Sequence, residues 1–175
     1  MRAAVRFFAL ALLVSPLTVA TAQPAPVPPA CAAPAALPAA LSGWATPVPL
    51  TAATTAETLG AAGLVPGRAV RARLAPTPEI QYPVRPEKPG GSVSHGGLFE
   101  FTVTTAGTYR VALGSGAWID LLDGATPLTS VAHGHGPDCS GIRKMVDFAL
   151  KPGHYRLQVA GNGTPELLLM VTQLS

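Results

Sequence analysis

Two histidines and a cysteine lie within one short run of the chain, His133-Gly134-His135-Gly136-Pro137-Asp138-Cys139. Neutral imidazoles and a thiolate are preferred ligands of zinc and copper, and two histidines two positions apart can reach one ion from an extended or turned backbone. The intervening glycines allow the chain to turn tightly, so that these side chains can converge on one point. The run predicts a zinc, copper or iron site at His133, His135 and Cys139, and His154 supplies a further ligand if the fold brings it close.

Cys139 has a competing use, because the chain contains one other cysteine, Cys31. In an oxidising compartment the two are expected to form a disulfide. The run is then a glycine-rich loop between two strands, with its histidines facing solvent. A third interpretation is an anionic-ligand site in which Arg143 and Lys144 supply positive charge. The three interpretations stay open on the sequence alone.

The histidines also allow an enzymatic interpretation. A His-x-His pair followed by Pro152-Gly153-His154 is similar to the two metal-binding motifs of cupins. That similarity implies an iron-dependent dioxygenase, in which Asp138 or Asp147 is the carboxylate ligand. The chain departs from the cupin pattern, because the glutamate expected after the histidine pair is missing and the spacing before His154 differs.

Residues 1–22 have the three parts of a secretory signal peptide: a basic start, an apolar stretch over Phe7–Val14, and the small residues Ala20-Thr21-Ala22. The apolar stretch is too short to span a bilayer of roughly 30 Å, and no later stretch is long enough. We therefore expect a periplasmic or secreted protein without a membrane span. Removing Arg2 and Arg6 leaves 12 − 2 = 10 basic against 9 acidic residues. This balance disfavours nucleic acid and leaves a periplasmic protein or a small ligand as the expected partner.

Residues 23–66 form a leader rich in alanine and proline, in which the prolines disfavour regular helix or sheet. Trp44 interrupts this composition, and a large aromatic side chain in such a segment is expected to dock onto the following domain. A short helix is predicted within Thr51–Leu64, where alanines favour helix and Gly60 limits its length.

Residues 67–175 predict an all-β domain. Apolar and polar residues alternate in short segments about ten residues apart, separated by turn residues such as Asp123-Gly124. This pattern is typical of an antiparallel β-sandwich, jelly-roll-like, of about eight strands. The segments are Val70–Leu74, Phe99–Val103, Tyr109–Leu113, Trp118–Leu122, Leu128–Ala132, Met145–Leu150, Tyr155–Val159 and Leu167–Thr172. The second and third are predicted to form a hairpin through Ala106-Gly107.

Four of these segments resemble, in order, the bacterial pre-peptidase C-terminal domain. They are Gly97-Leu98-Phe99-Glu100-Phe101-Thr102-Val103, Ala106-Gly107-Thr108-Tyr109-Arg110-Val111, Trp118-Ile119-Asp120-Leu121-Leu122-Asp123 and the closing hairpin Leu150-Lys151-Pro152-Gly153-His154-Tyr155-Arg156-Leu157. The resemblance covers roughly residues 95–172 and implies a secreted β-sandwich used for binding or folding support, not catalysis. We therefore expect an exported binding or accessory module, with the dioxygenase as the alternative.

Overall fold

The structure, a computed structural model, describes Cys31, Ala33 and residues 35–174; the predicted signal peptide and the start of the predicted leader lie outside them. Within the described part the chain forms three 3₁₀ helices, at Ala39–Ala45, Ala56–Ala61 and Thr77–Glu79, and eleven strands. The strands are β1 (Val48–Thr51), β2 (Ala69–Arg73), β3 (Ala75–Pro76), β4 (His95–Val103), β5 (Gly107–Leu113), β6 (Trp118–Asp123), β7 (Thr126–Pro127), β8 (Ala132–Gly134), β9 (Lys144–Leu150), β10 (Gly153–Asn162) and β11 (Glu166–Gln173). No helix in the described part is long and apolar enough to cross a membrane.

Two sheets pack face to face around one core. The first has the strand order β1-β2-β11-β5-β9-β8 and the second β3-β4-β10-β6-β7. All neighbours pair antiparallel except β1 and β2, which are parallel. The orders β2-β11-β5-β9 and β4-β10-β6-β7 are those of a jelly roll, in which two Greek keys share one sandwich. The predicted all-β sandwich is confirmed.

The core forms where the alternating apolar residues of the two sheets meet. Phe99 and Phe101 of β4 and Leu157 of β10 come from one sheet, and Val111 of β5 and Leu169 of β11 come from the other. Each is at most 3% exposed. A period of two places every second side chain of a strand on the same face, so the predicted alternation identifies the buried rows correctly.

The predicted hairpin between the second and third segments is wrong. β4 pairs with β10, whereas β5 pairs with β9 and β11 in the other sheet. The short connection Thr104–Ala106 therefore crosses from one sheet to the other. The turn at Pro152-Gly153 likewise joins strands of different sheets, β9 and β10, so the expected closing hairpin is also absent. The turn at Gly124, whose φ is 62°, does close a hairpin, because Asp123 of β6 pairs with Thr126 of β7.

The described part of the leader is ordered against the domain. Its first 3₁₀ helix buries Leu41 and Trp44 on the outer face of the first sheet, against Ala112 and Met170. The Thr172 hydroxyl donates to the Ala40 carbonyl at 2.7 Å, which fixes the helix to β11. The expected docking of Trp44 is confirmed. The leader also contributes β1, which its prolines did not predict, and the helix expected within Thr51–Leu64 is reduced to the 3₁₀ helix Ala56–Ala61.

Candidate functional site

The His-Gly run begins in a strand and continues into a loop. The predicted strand Leu128–Ala132 is displaced toward the C-terminus, and β8 covers Ala132–Gly134 at the edge of the first sheet. Ala132 pairs with Asp147, His133 with Val146, and Gly134 with Met145. His133 is therefore a strand residue, and His135 follows directly after the strand. Both histidines are exposed, because no further strand covers this edge within the described part of the chain.

His133 and His135 are two positions apart, and only His133 belongs to β8. In an extended strand, residues two apart lie on one face, about 6.5 to 7 Å apart along the chain. His133 lies opposite Val146, whose side chain points into the core, so His133 belongs to the core-facing row at the open edge of the sheet. If the extended backbone continues through His135, its imidazole lies on the same face.

His135 has a defined tautomer in this structure. Its Nδ1 lies 2.8 Å from the carbonyl oxygen of Arg143. A carbonyl oxygen only accepts hydrogen bonds, so Nδ1 is the atom that carries the proton. In the neutral ring the Nε2 lone pair is then the free one. Histidines that bind metals commonly donate their other ring N–H to a backbone carbonyl in this way, which fixes the ring and raises its basicity.

Cys139 is joined to Cys31 in a disulfide, with the two Cα atoms 5.5 Å apart. The predicted disulfide is confirmed, and it uses the sulfur that the metal interpretation assigned as a third ligand. The backbone at Cys139 has a left-handed φ of 62°. Its carbonyl oxygen also accepts a hydrogen bond from the Ala35 N–H at 3.4 Å. The loop carrying the two histidines is thus fixed covalently to the start of the described leader.

The other two histidines lie in the second sheet. His154 is on the outer face of β10, where its Nδ1 is 3.0 Å from the Thr102 hydroxyl. It lines a shallow groove of about 410 Å³ with Leu64, Pro66 and Glu100 among its other walls. His95 begins β4, and its buried Nδ1 has no hydrogen-bond partner in the described part of the protein.

Neither candidate carboxylate joins the histidine pair. Asp138 is exposed in the loop, and Asp147 is buried and binds Arg110 through both carboxylate oxygens at 2.7 Å. Among the residues that the structure describes, no three histidine, cysteine, aspartate or glutamate side chains come together as metal ligands. The dioxygenase hypothesis stays a prediction.

Arg143 and Lys144 are neighbours in the chain but have different hydrogen-bond partners. Successive residues of a strand point to opposite faces. Arg143 is exposed, and its backbone is used by His135 and by Leu113, whose carbonyl accepts the Arg143 N–H at 2.8 Å. Lys144 instead reaches the second sheet, where its Nζ donates to the Ala117 carbonyl at 2.9 Å. The anionic-ligand site expected at these two residues stays a prediction.

Lys144 belongs to a polar cluster that the sequence did not indicate. Its Nζ lies 5.2 Å from the centre of the Trp118 ring, and the Nζ of Lys88 lies 5.0 Å from the same centre. Burial and the charge of Lys88 lower the pKa of Lys144, against the opposing influence of Asp120. These four residues come from β6, β9 and the loop before β4. No spacing or motif in the sequence connects them, and only the sandwich brings them together.

No protein-family model matches the chain, and no curated protein matches it. The fold and the disulfide define its class, a disulfide-linked jelly-roll β-sandwich with an ordered N-terminal extension. A disulfide of this kind is typical of proteins in an oxidising, extracytoplasmic compartment. The resemblance to the pre-peptidase C-terminal domain stays a prediction.

Proposed function

We propose that this chain is a non-catalytic binding or accessory module of the periplasm or the extracellular medium, which binds a transition-metal ion through His133 and His135. The proposal reduces the ligand set expected from the sequence to two protein ligands, because the disulfide occupies Cys139 and His154 lies in the other sheet. Water or a partner protein completes the coordination. Zinc and copper suit a pair of imidazoles.

The observation that carries the proposal is the hydrogen bond between His135 and the Arg143 carbonyl. It leaves the Nε2 lone pair of this exposed ring free for an ion, two positions along the chain from the exposed His133. Strand β8 and the Cys31–Cys139 disulfide hold the backbone on either side of this pair. Fixing two ligands before the ion arrives reduces the conformational entropy lost on binding.

We also propose that the protein is not an enzyme, because of where His133 and His135 lie. A catalytic zinc centre commonly uses three protein ligands and keeps one position open for water or substrate, within a shaped and partly dry cavity. His133 and His135 lie instead on an exposed sheet edge. Such a position is better suited to holding an ion between this protein and a partner, or to buffering it.

The test is calorimetric titration of the oxidised chain, lacking residues 1–22, with zinc and then with copper. We expect one ion per chain. Loss of a residue that only orients a metal ligand typically lowers metal affinity ~10- to 100-fold, so loss of a ligand itself in His133→Ala or His135→Ala is expected to lower it by at least about tenfold. Both side chains are exposed, so neither change should alter thermal stability in the absence of metal.

His154→Ala is the matched control, because it removes an exposed histidine from the other sheet. The metal affinity of His154→Ala should equal that of the original chain. A chain that binds no metal, or a double variant His133→Ala/His135→Ala that binds as tightly as the original, would overturn the proposal. Loss of binding in His154→Ala would instead favour a ligand set of the kind that the dioxygenase hypothesis requires.

A further inference from the structure

The cluster around Trp118 lies where β6 and β9 begin, and its Lys144 directly follows Arg143, whose carbonyl oxygen binds His135. Trp118 is the first residue of β6, Lys144 the first residue of β9 in the opposite sheet, and Lys88 belongs to the loop that leads into β4. The chain contains three lysines, and two of them lie about 5 Å from this one indole ring. The third, Lys151, lies in the turn between β9 and β10.

The indole ring is held in a fixed orientation. Its Nε1–H donates to Oδ1 of Asp120 at 2.9 Å, and Oδ2 of Asp120 accepts from the Gln158 amide at 3.3 Å. Gln158 is 1% exposed. Its amide also binds both the N–H and the carbonyl of Val84, at 3.1 and 3.0 Å, so the same side chain fixes the loop that carries Lys88. Trp118, Asp120 and Gln158 are therefore fixed in position before any ligand binds.

The charge in this cluster is unbalanced. Two ammonium groups face one carboxylate, and both oxygens of that carboxylate are already bound by Trp118 and Gln158. Arg110 and Asp147 form the one salt bridge among the described residues. Neither Lys88 nor Lys144 is therefore paired with an acidic side chain among them. One of the three Lys144 N–H donors binds the Ala117 carbonyl. The remaining donors of both lysines are available to a ligand.

We infer that Lys88 and Lys144 form an oxyanion-binding site, which takes a phosphate or carboxylate group between the two ammonium groups beside the Trp118 ring. The indole attracts both cations, which lie 5.0 and 5.2 Å from the centre of its ring in the absence of a ligand. An anion with several oxygens then accepts charge-assisted hydrogen bonds from both, which are stronger than those between neutral groups. Burial and, after it, the charge of Lys88 lower the pKa of Lys144, and a bound anion would act in the opposite direction.

Tryptophan fluorescence tests the inference. The chain has two tryptophans, and the variant Trp44→Phe leaves Trp118 as the sole reporter. Inorganic phosphate and citrate are added separately, with sodium chloride keeping the ionic strength constant. We expect a saturable change in emission. Comparing the two titrations distinguishes a phosphate from a carboxylate ligand, and saturation by either one supports the site.

Three further variants, each made in the Trp44→Phe protein, distinguish anion binding at this site from non-specific attraction between anions and the positive charge of the protein. Lys88→Gln and Lys144→Gln should each weaken binding by about tenfold or more, because each removes one charged donor. Lys151→Gln removes the same charge elsewhere and should bind as tightly as the parent. Lys88 is exposed in a loop, so its variant should fold even if Lys144→Gln does not. A response to neither anion, or an equal weakening in Lys151→Gln, would overturn the inference.

Discussion

The indole nitrogen of Trp44 donates a hydrogen bond to the carbonyl oxygen of Ser140 at 3.0 Å, across 96 positions of the chain. Ser140 directly follows Cys139, whose sulfur is bonded to Cys31. The leader is thus attached to the loop after β8 in three ways: through the disulfide, through the hydrogen bond from Ala35 to Cys139, and through the Trp44 side chain. The loop that carries His135 is therefore held from the leader side as well as from β9.

Removing the disulfide tests how much the covalent attachment contributes. The double variant Cys31→Ser/Cys139→Ser leaves no unpaired thiol and should lower the free energy of unfolding by about 2 to 4 kcal/mol. The stabilisation is expected to be near the upper end, because the bond closes a loop of 108 positions. Urea unfolding of the oxidised protein, the variant and the chemically reduced protein measures it. Equal stability in all three would contradict the prediction.

The Arg110–Asp147 ion pair on the outer face of the first sheet predicts an asymmetric response to substitution. The side chain of Asp147 is 8% exposed and that of Arg110 is 22% exposed. Arg110→Met leaves the more deeply buried charge unpaired, so it should cost about 3 to 5 kcal/mol, more than Asp147→Asn. The double variant Arg110→Met/Asp147→Leu should recover much of the loss. Thermal and urea unfolding of all three measures this, and additive losses would show that the two side chains do not interact.

Two glycines of the His-Gly run predict opposite outcomes for the same change. A methyl group at Gly136 would overlap the side chain and carbonyl oxygen of Ile142, whereas one at Gly134 meets no atom within 4 Å. Gly136→Ala should therefore lower the free energy of unfolding by about 1 to 3 kcal/mol. Gly134→Ala, the matched control, should change it by less than about 0.5 kcal/mol. Equal effects in urea unfolding would show that the loop adapts around Gly136.

The sequence predicts features that depend on neighbouring residues, and it fails for features that depend on how the two sheets pack. Alternation identified the strand containing Phe99 and the strand containing Tyr109, because burial of every second side chain is a local property. The alternation could not show which sheet each strand belongs to, because both strands bury every second side chain in the same core. The disulfide was predictable because the chain offers a single pair of cysteines. The cluster of Lys88, Trp118 and Lys144 was not, because its members meet only when the two sheets pack.

Tyr82 predicts a specific loss of stability at alkaline pH. Its hydroxyl donates to the Val159 carbonyl at 2.9 Å. Burial, together with the negative charge of Asp120, raises its pKa from 10.0 to about 12. The folded protein therefore retains this proton over a range in which the unfolded chain loses it. The stabilisation is complete below about pH 10 and is lost as the pH rises from about 10 to about 12.

The measurement compares urea unfolding of the original chain and Tyr82→Phe across that range. The lowered pKa of Lys144 contributes a pH dependence of the opposite sign, so the difference between the two proteins is the informative quantity. It should shrink as the pH rises from about 10 to about 12. Ultraviolet titration of the original chain should show a late tyrosine ionisation that Tyr82→Phe removes. A difference that stays constant with pH would mean that Tyr82 ionises alike in the folded and unfolded states.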